Sequence, residues 1–173
     1  MERGIFFGIG TNLDPLENMP RILAQLVETF EEIRLSHVIR TAPEKMDSDQ
    51  FFLNAVGYLE TPRTPEEVKA LFNAIETRLG RDRKDPGRKW KDRAADIDIL
   101  CVLSPTESVA PCNIPEESYV RPCFQALAGA MGKLPHPAEP FGESVELPFL
   151  DQCFGGKVCL FRRHPESGAV RIH

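Results

Sequence analysis

Residues 94–103, AADIDILCVL, constrain this chain more than any other stretch. They are apolar and β-branched apart from two carboxylates, which predicts a strand. Residues i and i+2 of a strand point the same way. Asp96 and Asp98 therefore share one face, while Ile97 and Ile99 take the other face and the core. Two carboxylates side by side repel each other and need a cation. An oxygen-only pair suits Mg²⁺, which fills the rest of its shell with water and substrate phosphates. Just upstream, residues 81–93 carry seven Lys/Arg (Arg81, Arg83, Lys84, Arg88, Lys89, Lys91, Arg93) against Asp82, Asp85 and Asp92, with Trp90 among them. Pro86-Gly87 marks a turn there, and guanidinium forks suit phosphate oxygens. Together the two stretches outline a phosphoryl- or pyrophosphoryl-transfer site. The plainer alternative is a solvated charged loop before an edge strand whose Asp residues face water.

The chain has 173 residues, enough for one domain with a full core. A net charge of −5 argues against a nucleic-acid binder working by general electrostatics. Positive charge focused on one loop fits a small anionic ligand instead. The five cysteines, Cys101, Cys112, Cys123, Cys153 and Cys159, are odd in number, scattered and without a CxxC, as expected of reduced thiols in a cytoplasm. His37, His136, His164 and His173 show no metal-ligand spacing. The N-terminal residues have no signal-peptide pattern, and no apolar run approaches the roughly 18 residues of a membrane span.

Residues 4–10 (GIFFGIG) predict a buried strand ending in the turn Gly10-Thr11-Asn12. An apolar stripe at Met19, Ile22, Leu23, Leu26, Val27 and Phe30 predicts a helix. Its start has two readings. Asp14-Pro15-Leu16-Glu17 fits a capping box with Pro at the first helical position, but leaves Pro20 inside the helix. Asn18 as N-cap avoids that cost and is preferred, with a single turn ahead of it. Residues 33–41 predict a half-exposed strand and residues 51–61 another. In the second, Leu53, Ala55, Gly57 and Leu59 take one face, and Phe52, Asn54, Val56 and Tyr58 the other. Asn54 either faces water or, beside Phe52, floors a flat-ligand pocket. Thr64-Pro65-Glu66-Glu67 is a capping box that opens a helix with Val68, Leu71, Phe72, Ile75 and Leu79 on one face, ending at Gly80. Asn73 and Glu76 lie off that stripe.

The order strand, helix, strand, strand, helix, strand is a split βαβ, ferredoxin-like α+β arrangement, an antiparallel sheet with helices packed on it. Residues 119–131 predict a further helix with Phe124, Leu127, Ala128 and Met131 inward, giving three layers, α/β/α. Residues 146–154 predict a helical turn, and residues 157–162 and 169–172 two strands. A single domain is expected over residues 1–173, with a core over about 4–142 and an extension over about 155–173.

Four motifs carry a resemblance across residues 4–142. They are Gly10-Thr11-Asn12-Leu13, Phe52-Leu53-Asn54-Ala55, the run from Glu76 through Gly80 and Arg81 to Arg83, and Trp90-Lys91-Asp92-Arg93-Ala94-Ala95-Asp96-Ile97-Asp98-Ile99. In this order they resemble the 6-hydroxymethyl-7,8-dihydropterin pyrophosphokinase family. That resemblance implies transfer of the ATP diphosphate to the pterin hydroxymethyl group, with release of AMP, in folate biosynthesis. It implies two Mg²⁺ on Asp96 and Asp98, with Arg81 and Arg93 as catalytic arginines over the phosphates. Asn73, Arg83, Trp90, Arg93, Ile99 and Arg121 would face ATP. Asn54 would read the amide edge of the pterin, Phe52 would stack on it, the backbone of Thr41, Ala42 and Glu44 would add hydrogen bonds, and Phe124 or Cys123 would stand at the second wall. The implied partners are ATP and a pterin, with no nucleic acid or membrane, and a monomer in the cytoplasm.

The chain also departs from the family pattern. Lys91-Asp92 stands where the family has Gly-Pro. Glu116-Glu117 replaces an aromatic pair after Ile114-Pro115, an Arg near Pro111 is absent, and Arg121-Pro122-Cys123-Phe124 alters a stacking position. These departures leave three alternatives: a non-catalytic pterin- or nucleotide-binding paralogue, a kinase of a related heterocyclic alcohol, and a ferredoxin-like binding domain with a structural Asp pair.

Overall fold

Alternation along the first strand puts Ile5, Phe7 and Ile9 on one side and Phe6, Gly8 and Gly10 on the other. In the structure, a computed structural model that describes residues 1–42, 51–80, 84, 93–135 and 142–173, this strand, β1 (Arg3–Thr11), lies inside the sheet. It pairs antiparallel with β4 (Phe52–Thr61) on one flank and β5 (Asp96–Leu103) on the other. β2 (Glu32–Leu35) and β3 (Ile39–Thr41) pair with successive parts of β4. α1 (Pro15–Phe30) follows β1 and α2 (Pro65–Arg78) follows β4, so chain order and the lateral order β2-β4-β1-β5 give the expected split βαβ sheet.

Each face of the sheet buries its own apolar cluster. Ile5, Phe7, Ile9, Leu53, Ala55, Leu59 and Ile97 pack against the stripes of α1 and α2, through Ile22, Leu26, Val68, Phe72 and Ile75 among others. On the opposite face Phe6, Val56, Tyr58, Cys101 and Leu103 pack against α3 (Arg121–Ala130) through Phe124 and Leu127. The result is three layers. A bulge leaves Leu100 of β5 between the partners of Phe6 and Phe7, so the alternation of β5 shifts by one there and Cys101 and Leu103 join Asp96 and Asp98 on one face. Among the described residues no helix is long and apolar enough to cross a membrane.

Three expectations need correction. α1 starts at Pro15, with Asp14 as N-cap in the left-handed region at φ 42° and Pro20 inside the helix. Asn18 does not cap. It is buried, and its amide donates to Leu13 O at 2.6 Å while its oxygen accepts from Arg21 at 3.0 Å. Those bonds and the buried stripe outweigh the one hydrogen bond that Pro20 forgoes. Second, residues 33–41 form two strands, not one. At Ser36 the hydroxyl and the N–H take the Val56 backbone, and Val38 turns to pair with Gly155 and Val145. Third, residues 146–154 hold no helical turn. β7 (Leu147–Phe149) and β8 (Gln152–Phe154) form a hairpin turned at Leu150, φ 55°.

The C-terminal strands extend the same sheet. β9 (Cys159–Arg163) pairs with the outer edge of β2, and β10 (Val170–Ile172) pairs with β9. Two residues of a shorter strand, β6 (Glu143–Ser144), pair with β3. Phe149, Phe154 and Phe161 meet edge-on at 5.3 to 6.3 Å and join the cluster beneath α1.

Phe161 is fully buried in that cluster. Phe161→Ala is expected to cost about 3–5 kcal/mol, read as a lower urea midpoint. Burial pushes the Cys123 and Cys159 thiols up to about 11. With Cys112 and Cys153 exposed, a disulfide reagent at pH 8 should label those two promptly and the three buried thiols only on unfolding.

Candidate active site

β5 presents its carboxylates as the alternation requires. Asp96 lies opposite Gly10 and Asp98 opposite Gly8, while Asn54 and Val56 flank the same glycines on the other side. Cross-strand partners share a face. The carboxylate pair, Gly8, Gly10, Phe52, Asn54 and Thr41 therefore stand on one face, the one that α3 covers at its Phe6–Tyr58–Leu103 end. The rows of Asp96 and Asn54 are two strand spacings apart, about 10 Å. Gly10 keeps the floor between them low, because a Cβ there would come within 3.0 Å of Asn54 Oδ1. Asn54 does not face water. It is 6 % exposed, and its amide donates to Thr41 Oγ1 at 2.6 Å.

Each carboxylate meets a cation. Arg93 Nη1 donates to Asp96 Oδ2 at 2.8 Å, and Lys69 Nζ donates to Asp98 Oδ1 at 2.8 Å. Arg93 is gripped by the turn after β1. Its N–H donates to the Asn12 side chain at 2.6 Å, and its carbonyl accepts from the N–H groups of Asn12 and Leu13. The Gly10-Thr11-Asn12-Leu13 turn thus fixes the point where the basic stretch enters β5. Ile97, between the carboxylates, is held from the outer edge of β5. Its N–H donates to Glu76 Oε1 at 2.9 Å and its carbonyl accepts from Lys69 at 3.0 Å. Both side chains come from α2. The site residues that sequence reasoning missed are therefore Asn12, Lys69 and Glu76. Asn12 stands in the Gly10-Thr11-Asn12-Leu13 motif, which gives it a turn but no role. Glu76, off the apolar stripe, is fully buried, and no spacing rule marks Lys69.

The other named positions fall as follows. Phe52 and Thr41 are half-buried beside Asn54, and Ala42 is exposed. Asn73 is half-buried on α2, and Ile99 packs against the cluster beneath α1 and α2. Arg121 is exposed at the start of α3. Phe124 is fully buried, its ring 4.8 Å from that of Phe6, and the buried Cys123 thiol points to His37 O. Both stand in the core beneath α3. Glu116 and Glu117 are exposed. Arg81, Arg83, Trp90, Lys91, Asp92 and Glu44 lie outside the described residues.

Any metal here would have to be held by Asp96 and Asp98. The donors are carboxylate oxygens, and among the described residues no group of three or more metal-type side chains gathers. A cation here would draw most of its shell from water and phosphate, which is the habit of Mg²⁺.

The fold is that of the pyrophosphokinase class. Curated relatives with that name, 2-amino-4-hydroxy-6-hydroxymethyldihydropteridine pyrophosphokinase, occur in several bacteria. The Porphyromonas gingivalis protein is 32% identical over 98 residues, which is 56% of this chain and 67% of that protein. The Bacillus subtilis protein is 29% identical over 98 residues, 55% of this chain and 57% of its own length. The Methylorubrum extorquens protein is 31% identical over 98 residues, 55% and 60% respectively. The model of the 7,8-dihydro-6-hydroxymethylpterin-pyrophosphokinase family matches residues 6–139, and the chain belongs to that family.

Removing the Glu76 carboxylate strands a buried N–H. Glu76→Ala should cost about 1–3 kcal/mol and speed hydrogen exchange at the Ile97 amide. An unchanged Ile97 exchange rate would show that β5 does not depend on α2.

Proposed function

We propose that this chain transfers the diphosphate of ATP to the hydroxymethyl group of 6-hydroxymethyl-7,8-dihydropterin, giving AMP and the pterin diphosphate. The observation that carries this reading is the shared sheet face, with the Asp96/Asp98 pair and the Asn54–Thr41–Phe52 group about 10 Å apart and glycines between them. That arrangement suits one flat ring and one polyphosphate lying side by side. Asn54, an amide tied to Thr41, would match the amide edge of the pterin, and Phe52 would offer a ring face. The backbone of Thr41, Ala42 and Glu44 would add hydrogen bonds.

The pterin hydroxyl oxygen bonds to the β-phosphorus, the bond from that phosphorus to the α-phosphate oxygen breaks, and AMP leaves. Mg²⁺, two ions on this reading, would be held by Asp96 and Asp98, and when bound would offset phosphate charge and help the hydroxyl lose its proton. Arg93, held at its backbone by Asn12, keeps its guanidinium at the carboxylates, from where it would turn to a phosphate. Arg81, Arg83 and Trp90 would close over the polyphosphate, and Arg121 would face the nucleotide; Asn73 on α2 would meet it only round the outer edge of β5, and Ile99, its side chain packed beneath α1 and α2, would offer it only backbone. Phe124 and Cys123 would support the ring pocket from beneath. We take residues 1–173 as one domain, working as a monomer in the cytoplasm.

The test is AMP release from ATP and Mg²⁺ with and without the pterin. Pterin-dependent AMP is expected, reduced roughly a hundred- to a thousandfold in Asp96→Ala. Asn54→Ala should raise the pterin KM about tenfold with a smaller change in kcat. Pterin-independent turnover, or full activity in Asp96→Ala, would reject the assignment.

A further inference from the structure

Asp96 and Asp98 receive their cations from different sources. Arg93 stands at the end of the basic stretch, whereas Lys69 comes from the body of α2, on a helix packed against the sheet. Lys69 reaches round the edge of β5 with two bonds, to Ile97 O at 3.0 Å and Asp98 Oδ1 at 2.8 Å. The carbonyl bond tethers the ammonium whether or not the carboxylate is engaged. The ion pair itself is open to water, with side-chain exposures of 38% for Lys69 and 60% for Asp98, so it is weakly held and readily exchanged.

An ammonium and a divalent cation compete for the same carboxylate. At this separation they also repel each other, an effect that salt screens. We propose that Lys69 is a resident counterion of Asp98 that Mg²⁺ has to displace, and that it thereby sets the metal concentration at which the carboxylate pair loads. This rests on Asp98 being a metal ligand in the proposed function. Two consequences follow from the geometry. Lys69 relieves the repulsion between the carboxylates when no metal is bound. It also weakens metal binding, because the tether at Ile97 O keeps its charge beside the incoming ion.

The experiment titrates the full chain with Mn²⁺, a paramagnetic stand-in whose free ion is counted by its resonance signal. It is run with α,β-methylene ATP, which cannot release AMP. Wild type, Lys69→Met, Lys69→Arg and Asp98→Asn are compared, each first shown to melt cooperatively. Met keeps the aliphatic stem and removes the charge. Lys69→Met should lower the Mn²⁺ midpoint at least threefold, and Lys69→Arg should return it to within twofold of wild type. The gap between Met and wild type should shrink in 1 M salt. Without metal, Lys69→Met should melt below wild type, and added metal should raise its Tm by more. A gain of less than threefold in Lys69→Met overturns the proposal. So does weaker binding of metal and nucleotide, which would put Lys69 on the phosphates. If Asp98→Asn matches wild type throughout, the metal-ligand reading of Asp98 has failed and Lys69's role falls with it. If Asp98→Asn loses metal while Lys69→Met gains none, only the counterion role has failed.

Discussion

Charge balance at the carboxylate pair is the constraint on which the other parts of this molecule depend. Asp96 and Asp98 project from one face of an edge strand about 7 Å apart along the chain, and a cation beside each relieves their mutual repulsion. The fold supplies it from two directions. Arg93 is delivered by a turn that grips its backbone on both sides of the peptide. Lys69 is delivered by α2, whose capping box at Thr64 fixes where the helix begins and so where its side chains reach β5. The unpaired edge groups of Ile97 are satisfied by the same helix, an acid on the N–H and a base on the carbonyl. A strand edge that would otherwise invite another strand becomes the anchored wall of a site.

The opposite wall depends on what is missing. β1 carries glycine opposite both carboxylates, Gly10 between Asp96 and Asn54 and Gly8 between Asp98 and Val56. At Gly10 a side chain would collide with the Asn54 amide oxygen. At the other end of the same face Phe6, Tyr58 and Phe124 fill the layer beneath α3 with rings tilted against one another. One strand thus changes from bulky to bare along its length, and the change marks where packing ends and the site begins.

Much of this was legible in the sequence because alternation is a local signal. The split βαβ order, the faces of β4, the Thr64 capping box and the shared face of Asp96 and Asp98 all follow from residues within a few positions of one another. The misses share a physical cause. At the start of α1 the cost of Pro20 argues for a later cap, whereas Asn18 is committed to Leu13 and Arg21. The break at residues 36–38 answers to partners near residues 145 and 155, over a hundred positions away. The hairpin at residues 147–154 hinges on Leu150, an exposed non-glycine residue at positive φ, which no composition rule favours. Glu76 stands in a motif and off the stripe, but its partner, a backbone N–H on another strand, leaves no trace in the side-chain pattern.

The placement of β9 against β2 bears on how the chain reaches this state. Arg162 and Glu32, paired at 3.0 Å, are 130 residues apart in sequence, and Phe161 closes the cluster that α1 begins. Contacts of such separation carry a high loop-closure cost and form late. During synthesis, the apolar face of α1 and the edge of β2 emerge long before the strand that covers them. Until residues 159–163 arrive, that edge stays open to pairing with other chains. The N-terminal third of the molecule is thus exposed to aggregation in the interval before its own C-terminal strands exist, which makes the rate of elongation and the shelter of the nascent chain part of how this sheet is completed.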